Sequence, residues 1–270
     1  MFKARFRVLP IAIVAIVFAS VLTNPAHAAS TKYPLTVKFG GYTTKIAKKP
    51  TKIISLSPSA TEIFFAIGAK SQILAVDNLS NYPAGTPTSE ISAFEPNVEA
   101  ILAKKPDLVL LSIDSTKAPQ IRNALVKLGI PVLMEKAPAT LNDVYAENTL
   151  LGRVTDRADG ASKLNASMAK SIKDVLAKAK KSSKIRIFHE LDDTYYSVTS
   201  NTFIGKVYKD FGAVNIADAA SGADSSGYPQ LSAEYLLKSD PQVIFLADAQ
   251  YGTTRSEERR VGKECLRLCR

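Results

Sequence analysis

The sequence has few of the residues that enzymes and metal-binding proteins use for their chemistry. It contains no tryptophan, two cysteines and two histidines. Both cysteines, Cys265 and Cys269, lie within the last six residues, and His189 is the one histidine beyond the first 28 residues. A single imidazole cannot form the clustered histidine sites that hold zinc and similar metals. We therefore expect no metal site and no resident cofactor.

Common catalytic and phosphate-binding motifs are also missing. The chain contains no G-x-x-x-x-G-K-[ST], no G-x-G-x-x-G and no G-x-S-x-G motif, so it offers neither a phosphate cradle nor a nucleophile elbow. We interpret His189 as a strand-end histidine, because no nucleophile can be paired with it. The expectation is a protein that is not an enzyme. An extracytoplasmic α/β hydrolase is the alternative from another class, and it would need an identifiable nucleophile and base.

Residues 1–28 are predicted to be a secretory signal peptide. Three basic residues open the segment, and they are Lys3, Arg5 and Arg7. The apolar run 8–22 that follows is shorter than the roughly 20 residues of a spanning helix, and small residues end it at Ala28. Cleavage after Ala28 would release the protein into the periplasm or outside the cell. Because no cysteine stands at the cleavage point, we expect no lipid anchor.

Residues 255–270 are interpreted as foreign to the protein. The stretch 255–265 matches, residue for residue, what a common sequencing-library adapter would encode in translation. Residues 1–28 carry three positive charges and residues 255–270 a net three, so the formal net charge falls from +10 to +4 over 29–254. The basic composition therefore does not point to a nucleic-acid partner. We expect the C-terminal lobe to be truncated near Thr254.

The body of the chain alternates short apolar strands with amphipathic helices, which predicts an α/β fold with mostly parallel sheets. Apolar runs predict strands at 53–56, 73–76, 108–112, 131–134 and 185–188. Helical periodicity and stop signals predict helices at 61–67, 98–104, 120–128 and about 140–151. An alternating segment at 35–39 precedes them all.

A long amphipathic helix is predicted at 156–181. Its apolar residues recur at three- and four-residue spacings, lysines occupy the other face, and no proline interrupts it. At about 1.5 Å per residue it would be close to 40 Å long, which suits a rigid strut between lobes. The predicted domains are an N-terminal lobe (29–152), an inter-lobe helix (153–182) and an incomplete C-terminal lobe (183–254).

The two halves of the chain repeat one pattern. In residues 99–111 a short helix, a proline and a buried strand follow Glu99, and residues 234–246 repeat this order after Glu234 with the same spacing from glutamate to proline. A separation on the order of 140 residues is too long for a solenoid repeat. The repeat predicts two similar α/β lobes.

Short motifs in both halves carry a family resemblance. Residues 53–62 read Ile-Ile-Ser-Leu-Ser-Pro-Ser-Ala-Thr-Glu, and further matching segments lie at 81–83, 97–99, 105–109, 199–204, 211–216 and 228–232. Together they resemble the class III periplasmic substrate-binding proteins of ABC importers, which bind cobalamin and iron-siderophores. Within that family the vitamin B12 binders are the most similar. The resemblance covers almost all of 50–248 and implies two Rossmann-like lobes joined by one long rigid helix.

The resemblance also implies a ligand site between the lobes, at the carboxyl ends of the strands. Four aromatic residues in the matching loops are candidates: Tyr82, Phe94, Tyr196 and Tyr228. The B12 binders flank their ligand with aromatics at the last three positions, and they have aromatics where this chain has Leu79 and Ser112. The expected ligand is cobalamin or a related corrinoid. A ferric siderophore or haem is the alternative within the family. Glu190, Asp192 and Asp193 could pair with a cationic group, but they are interpreted as a solvated turn.

Members of this family dock on their transporter through one surface carboxylate on each lobe. Each carboxylate contacts arginines of the permease dimer, and the matching residues here are Glu99 and Glu234. Judged from the residues alone, each would be an ordinary acidic residue in the first turn of a helix. The expected partners are an ABC permease dimer and a small-molecule ligand, with no nucleic acid. We expect a monomer located in the periplasm or secreted.

Overall fold

The computed structural model describes residues 30–87, 89–179, 184–220 and 226–247. The predicted signal peptide, the expected truncation near Thr254 and the segment 255–270 lie outside these residues. In the described part of the chain, two α/β lobes are connected through a long helix. None of the helices described is both long and apolar enough to cross a membrane.

The first lobe contains a four-stranded parallel sheet and an antiparallel hairpin. Its elements in chain order are β1 (Leu35–Phe39), β2 (Tyr42–Ile46), β3 (Ile53–Leu56), α1 (Pro58–Ala66), β4 (Ile73–Val76), α2 (Val98–Ala103), β5 (Leu108–Ser112), α3 (Ala118–Lys127), β6 (Val132–Glu135) and α4 (Leu141–Val154). β1 and β2 form the hairpin, and the sheet has the order β4-β3-β5-β6. Strands β3, β4 and β5 confirm the sequence predictions at 53–56, 73–76 and 108–112, and β6 is shifted by one residue.

Helices cover both faces of this sheet. Leu108 and Leu110 of β5 are fully buried beside α1, α4 and α5 (Ala158–Lys178), while Val109 and Leu111 are buried on the other face beside α2 and α3. This alternation is what a strand between two helical layers requires, because successive side chains point to opposite faces. The first lobe therefore has two apolar cores, one on each side of the sheet.

The second lobe repeats the strand order of the first. Its elements are β7 (Arg186–Glu190), α6 (Phe203–Asp210), β8 (Val214–Asn215), α7 (Ala217–Ala220), α8 (Ala233–Ser239) and β9 (Val243–Leu246). The parallel order β8-β7-β9 matches β4-β3-β5, with α6 in the place of α1 and α8 in the place of α2. The structure thus confirms the internal repeat that the sequence predicted.

The described core of the second lobe is smaller than that of the first. It is formed by Phe188, Ile216, Ala217 and Leu231. Strand β9 takes the place of β5, but its last three residues, 244–246, are each about 40% exposed, whereas β5 is almost entirely buried. Burial, and with it the apolar contribution to stability, is therefore concentrated in the first lobe.

The long helix predicted at 156–181 is observed as α5, Ala158–Lys178. Its first turns pack against α1 and α4, and Gly160 crosses the end of α1 so closely that a methyl group there would overlap the carbonyl oxygen of Ile67. Ile67 is the residue that ends α1. The absence of a side chain at position 160 therefore sets how closely α5 can pack on the first lobe.

Replacing Gly160 by alanine is expected to destabilise the protein by about 2 kcal/mol, as overpacking a tight contact does. The sign is informative, because glycine-to-alanine changes inside helices normally stabilise by up to about 1 kcal/mol. Ser162→Ala, an exposed position in the same helix, is the control and is expected to change stability little. Urea denaturation measures both, and stabilisation by Gly160→Ala would contradict the packing described.

Candidate functional site

Loops that follow the parallel strands carry several exposed aromatic residues in each lobe. In the first lobe, Phe94 lies in the long connection between β4 and α2, and its side chain is 64% exposed. Its carbonyl oxygen accepts a hydrogen bond from the backbone nitrogen of Thr116 (2.6 Å), and the Ser115 hydroxyl donates to the carbonyl of Ala93 (2.7 Å). These bonds fix the Phe94 loop to the loop after β5, so an exposed apolar ring is held at the carboxyl edge of the sheet.

In the second lobe, Tyr196 and Tyr228 lie on two neighbouring antiparallel segments. Tyr196 forms an isolated bridge with Gln230, and the backbone nitrogen of Ser197 donates to the carbonyl of Pro229 (2.9 Å). Both tyrosine side chains are more than one third exposed. The sequence prediction that these two tyrosines share one site is consistent with this pairing.

Gly227 allows this approach. It adopts a positive φ of 83°, and an added methyl group would press against the Thr202 side chain at the start of α6. Only glycine accepts this combination of backbone conformation and close packing without strain. Tyr228 is therefore presented beside the N-terminus of α6.

Tyr82 occupies a different part of the first lobe. Together with residues of α1 and with Leu164 of α5, it lines a surface depression of about 430 Å³. Glu62 and Phe65 are among the α1 residues in this depression. The structure thus places Tyr82 over the helical layer, whereas Phe94 is held against the loop after β5.

Glu99 and Glu234 occupy equivalent positions in the two lobes. Glu99 lies in the first turn of α2, where Asn97 caps the helix by accepting a hydrogen bond from Ala100 (3.0 Å). Glu234 lies in the first turn of α8, where Ser232 accepts from Tyr235 (3.1 Å). Both glutamates are exposed. Two capped helices therefore present one carboxylate on each lobe.

A buried polar network that the sequence analysis missed lies at the carboxyl end of β6. The Ser59 hydroxyl, at the start of α1, donates to Oε1 of Glu135 (2.7 Å) and is hydrogen-bonded to the Ser57 hydroxyl (2.9 Å). Glu135 is the last residue of β6, and its side chain is buried. Glu147 of α4 is also buried, and its carboxyl group interacts with that of Glu135.

Two buried carboxyl groups that lie near each other favour keeping a proton, because two buried anions repel each other strongly. Burial, and secondarily the neighbouring Glu135, raises the pKa of Glu147 to about 8. Among the described residues, Oε1 of Glu147 has no hydrogen-bond partner. The pair therefore holds a proton at neutral pH and is most stable in that form.

His189 belongs to an aromatic cluster inside the second lobe. Its Nδ1 lies 2.8 Å from the Tyr208 hydroxyl, and Phe245 stacks on both rings. Burial lowers the pKa of His189 and raises the pKa of Tyr208, so both groups are neutral near pH 7. His189 is therefore a packed histidine near the end of a strand, as the sequence predicted.

The interpretation of residues 190–193 as a solvated turn is wrong for Glu190. Its side chain is only 3% exposed, because the residue is the last of β7 rather than part of the turn. Asp192 does stabilise a turn, by accepting hydrogen bonds from the backbone and hydroxyl of Thr194. In the parts of the chain that the structure describes, no group of three or more histidine, cysteine or acidic residues is arranged to hold a metal ion.

The repeated lobes and the motifs in their loops correspond to a known protein family. The family model for periplasmic binding proteins matches residues 53–266. The chain belongs to this family. Solved structures agree, since the periplasmic vitamin B12 binding protein of Vibrio cholerae superposes with a TM-score of 0.62 at 27% identity, over 77% of this chain and 81% of that one.

Two curated proteins are also similar to this chain in sequence. One is an uncharacterized ABC transporter substrate-binding lipoprotein of Bacillus subtilis, 31% identical over 75% of this chain and 65% of its own. The other is a cobalamin-binding protein of Halobacterium salinarum, 30% identical over 73% of this chain and 53% of its own. The chain thus spans between about half and two thirds of the length of these two relatives.

Proposed function

We propose that this periplasmic binding protein captures cobalamin or a related corrinoid outside the cytoplasm and delivers it to the permease of an ABC importer. The observation that carries the proposal is the placement of exposed aromatic rings on both lobes. Phe94 is held in a loop at the carboxyl edge of the first sheet, and Tyr196 and Tyr228 lie on neighbouring antiparallel segments of the second lobe. The similarity to B12- and cobalamin-binding relatives supports the choice of ligand.

Aromatic faces suit a large, nearly planar ligand for a physical reason. Each ring buries a large area while few rotatable bonds lose freedom, so the entropic cost of contact is small. Rings on two separate lobes can close on opposite sides of such a ligand. The hydroxyl groups of both tyrosines remain available for hydrogen bonds to polar substituents at its rim.

A ferric siderophore or haem is the second candidate. The specific observation in its favour is that Leu79, which is 46% exposed, and Ser112 stand where the B12 binders have aromatic residues. A pocket with fewer rings makes weaker stacking contacts and leaves more room for a ligand of another shape. A corrinoid carries cobalt, whereas a ferric siderophore or haem carries iron. Titration of the protein with each ligand in turn distinguishes the two candidates.

Delivery to the permease is assigned to Glu99 and Glu234. Their equivalent positions in the repeated lobes match what a pseudo-twofold surface needs to meet a dimeric partner. Exposed carboxylates of this kind contribute mainly to orientation and to the rate of encounter with a basic surface. The proposed partner therefore presents two basic patches, one for each lobe.

Isothermal titration of the purified protein with cyanocobalamin tests the ligand assignment. We expect binding of one cyanocobalamin per protein, and we expect Tyr228→Ala to weaken it about tenfold, because loss of an aromatic contact in a binding site costs on the order of 1.4 kcal/mol. Tyr82→Ala is the matched control, since Tyr82 lies over α1 and α5. Binding of ferric hydroxamates or haem in place of cyanocobalamin would favour the second candidate.

A further inference from the structure

The two lobes contact each other through a side chain of α6. The ammonium group of Lys206 donates a hydrogen bond to the backbone oxygen of Ala139, at 3.0 Å. Ala139 lies in the short turn between β6 and α4, at the carboxyl edge of the first sheet. Lys206 is one turn into α6, which follows the loop after β7. The hydrogen bond therefore joins the faces of the two lobes that carry the candidate site.

The acceptor is held rigidly. Thr140 caps α4, and Oδ2 of Asp143 accepts hydrogen bonds from the Thr140 hydroxyl (2.8 Å) and from the backbone nitrogen of Ala139 (3.2 Å). At the other end of the turn, Glu135 is fixed by Ser59. A carbonyl group in a turn tied down at both ends has little freedom to follow a moving partner.

The donor is anchored as well. Thr202 caps α6, its carbonyl oxygen accepts from the backbone nitrogen of Lys206 (3.0 Å), and its side chain is buried. Gly205 packs so closely on Thr199 that a methyl group could not be added without overlap. Lys206 therefore extends from a helix start that is fixed within its own lobe.

The charges at this contact are complementary. The pKa of Asp143 is lowered, chiefly by its hydrogen bond with Thr140 and also by the positive charge of Lys206. The ammonium group thus has a carbonyl oxygen as its direct partner and a carboxylate nearby. Asp143 and the hydrogen bond of Lys206 are exposed to solvent, so the attraction is modest, and it serves to select a geometry more than to add stability.

We propose that Lys206 is a positioning residue, which holds α6 against the β6–α4 turn and so narrows the range of lobe separations in the ligand-free protein. A rigid connecting helix still allows small rocking movements of the lobes, since inter-domain motion is the ordinary expectation for small interfaces. A narrower range of separations keeps Phe94 at a more uniform distance from Tyr196 and Tyr228. This lowers the conformational cost of binding.

Distance measurement between spin labels on the two lobes tests this proposal. Labels attached at Lys127→Cys in α3 and Lys238→Cys in α8, both exposed positions, report the lobe separation in a background where Cys265 and Cys269 are changed to serine. In this background Lys206→Met is compared with Lys206→Arg, which keeps a donor. Lys209→Met is the matched control, because Lys209 is an exposed lysine of the same helix.

Lys206→Met is expected to broaden the distance distribution and to shift its mean by about 2 Å, the scale of small helix displacements. Lys206→Arg and Lys209→Met should retain the parent distribution, and all variants should keep the parent melting temperature. A parent-like distribution in Lys206→Met would overturn the proposal. Should that variant fail to fold, Asp143→Asn takes its place: intermediate broadening supports the proposal, and an unchanged distribution contradicts it.

Discussion

Changing both Glu99 and Glu234 to lysine is expected to abolish uptake of the ligand while leaving its binding intact. Each residue presents an exposed carboxylate from the first turn of a capped helix, at equivalent places in the repeated lobes. Reversal of both charges turns two attractions toward a basic partner into two repulsions. A loss of 1.4 kcal/mol already lowers affinity tenfold, so initial uptake of labelled cyanocobalamin should fall by at least about tenfold.

A double variant with the same net charge serves as the control. Glu90→Lys combined with Asp210→Lys reverses one exposed acidic residue on each lobe, and both positions lie outside α2 and α8. Uptake is measured in cells of the source organism that lack the parental protein and produce each variant. If both double variants lose uptake to the same degree, overall charge rather than the two helix starts controls docking, and the assignment is wrong.

The parent protein is expected to lose stability as the pH rises, and Glu147→Gln is expected to abolish this pH dependence. Burial and Glu135 raise the pKa of Glu147 from 4.5 to about 8, so the folded protein keeps a proton that the unfolded chain releases. When the folded state binds more protons, the free energy of unfolding falls as pH rises, here between about pH 4.5 and pH 8. Between about pH 6 and pH 9, which includes the upper part of this window, the expected loss in the parent is on the order of 3 kcal/mol.

Glutamine keeps the shape of the side chain and stays neutral, so the variant should show a nearly flat profile across this window. Urea denaturation at about pH 6 and about pH 9 measures both proteins. Glu62→Gln is the control, because Glu62 is an exposed glutamate of α1. The stability of Glu62→Gln is expected to depend on pH in the same way as that of the parent. Parallel profiles for the parent and Glu147→Gln would show that the buried pair does not hold a proton.

The strands of the first lobe could be predicted from the sequence because each is a short apolar run between turn signals. β3, β4 and β5 were predicted to the residue, and the repeat of the helix–proline–strand unit after Glu99 and Glu234 revealed the second lobe. Hydrophobic periodicity is strong enough for this when a strand is buried on both faces. Strand β2, Tyr42–Ile46, was missed because three of its five residues are polar.

The polar interior could not be predicted in the same way. Glu135, Glu147 and Glu190 are acidic residues at the end of a strand or on a helix, where sequence patterns assign charged side chains to solvent. Their burial depends on how α1, α4 and the sheet edges pack together, which is a tertiary property. The contact of Lys206 with Ala139 joins residues that lie in different lobes, so no local pattern indicates it.

The candidate ligand residues show what sequence motifs can predict and what they cannot. The motifs identified Phe94, Tyr196 and Tyr228 as loop aromatics, and all three are exposed in the structure. Tyr82 is exposed as well, and it lines the depression beside α1 and α5. A motif fixes the position of a residue in a loop, whereas the packing of that loop decides which surface the side chain reaches.

The most direct test of the account is the position of cobalt in crystals of the protein grown with cyanocobalamin. Anomalous scattering at the cobalt absorption edge locates the metal independently of how the ligand is built. The account predicts a single strong peak between the lobes, flanked by Phe94 on one side and by Tyr196 and Tyr228 on the other. A peak in the depression beside Tyr82, or no peak at saturating ligand, would contradict it.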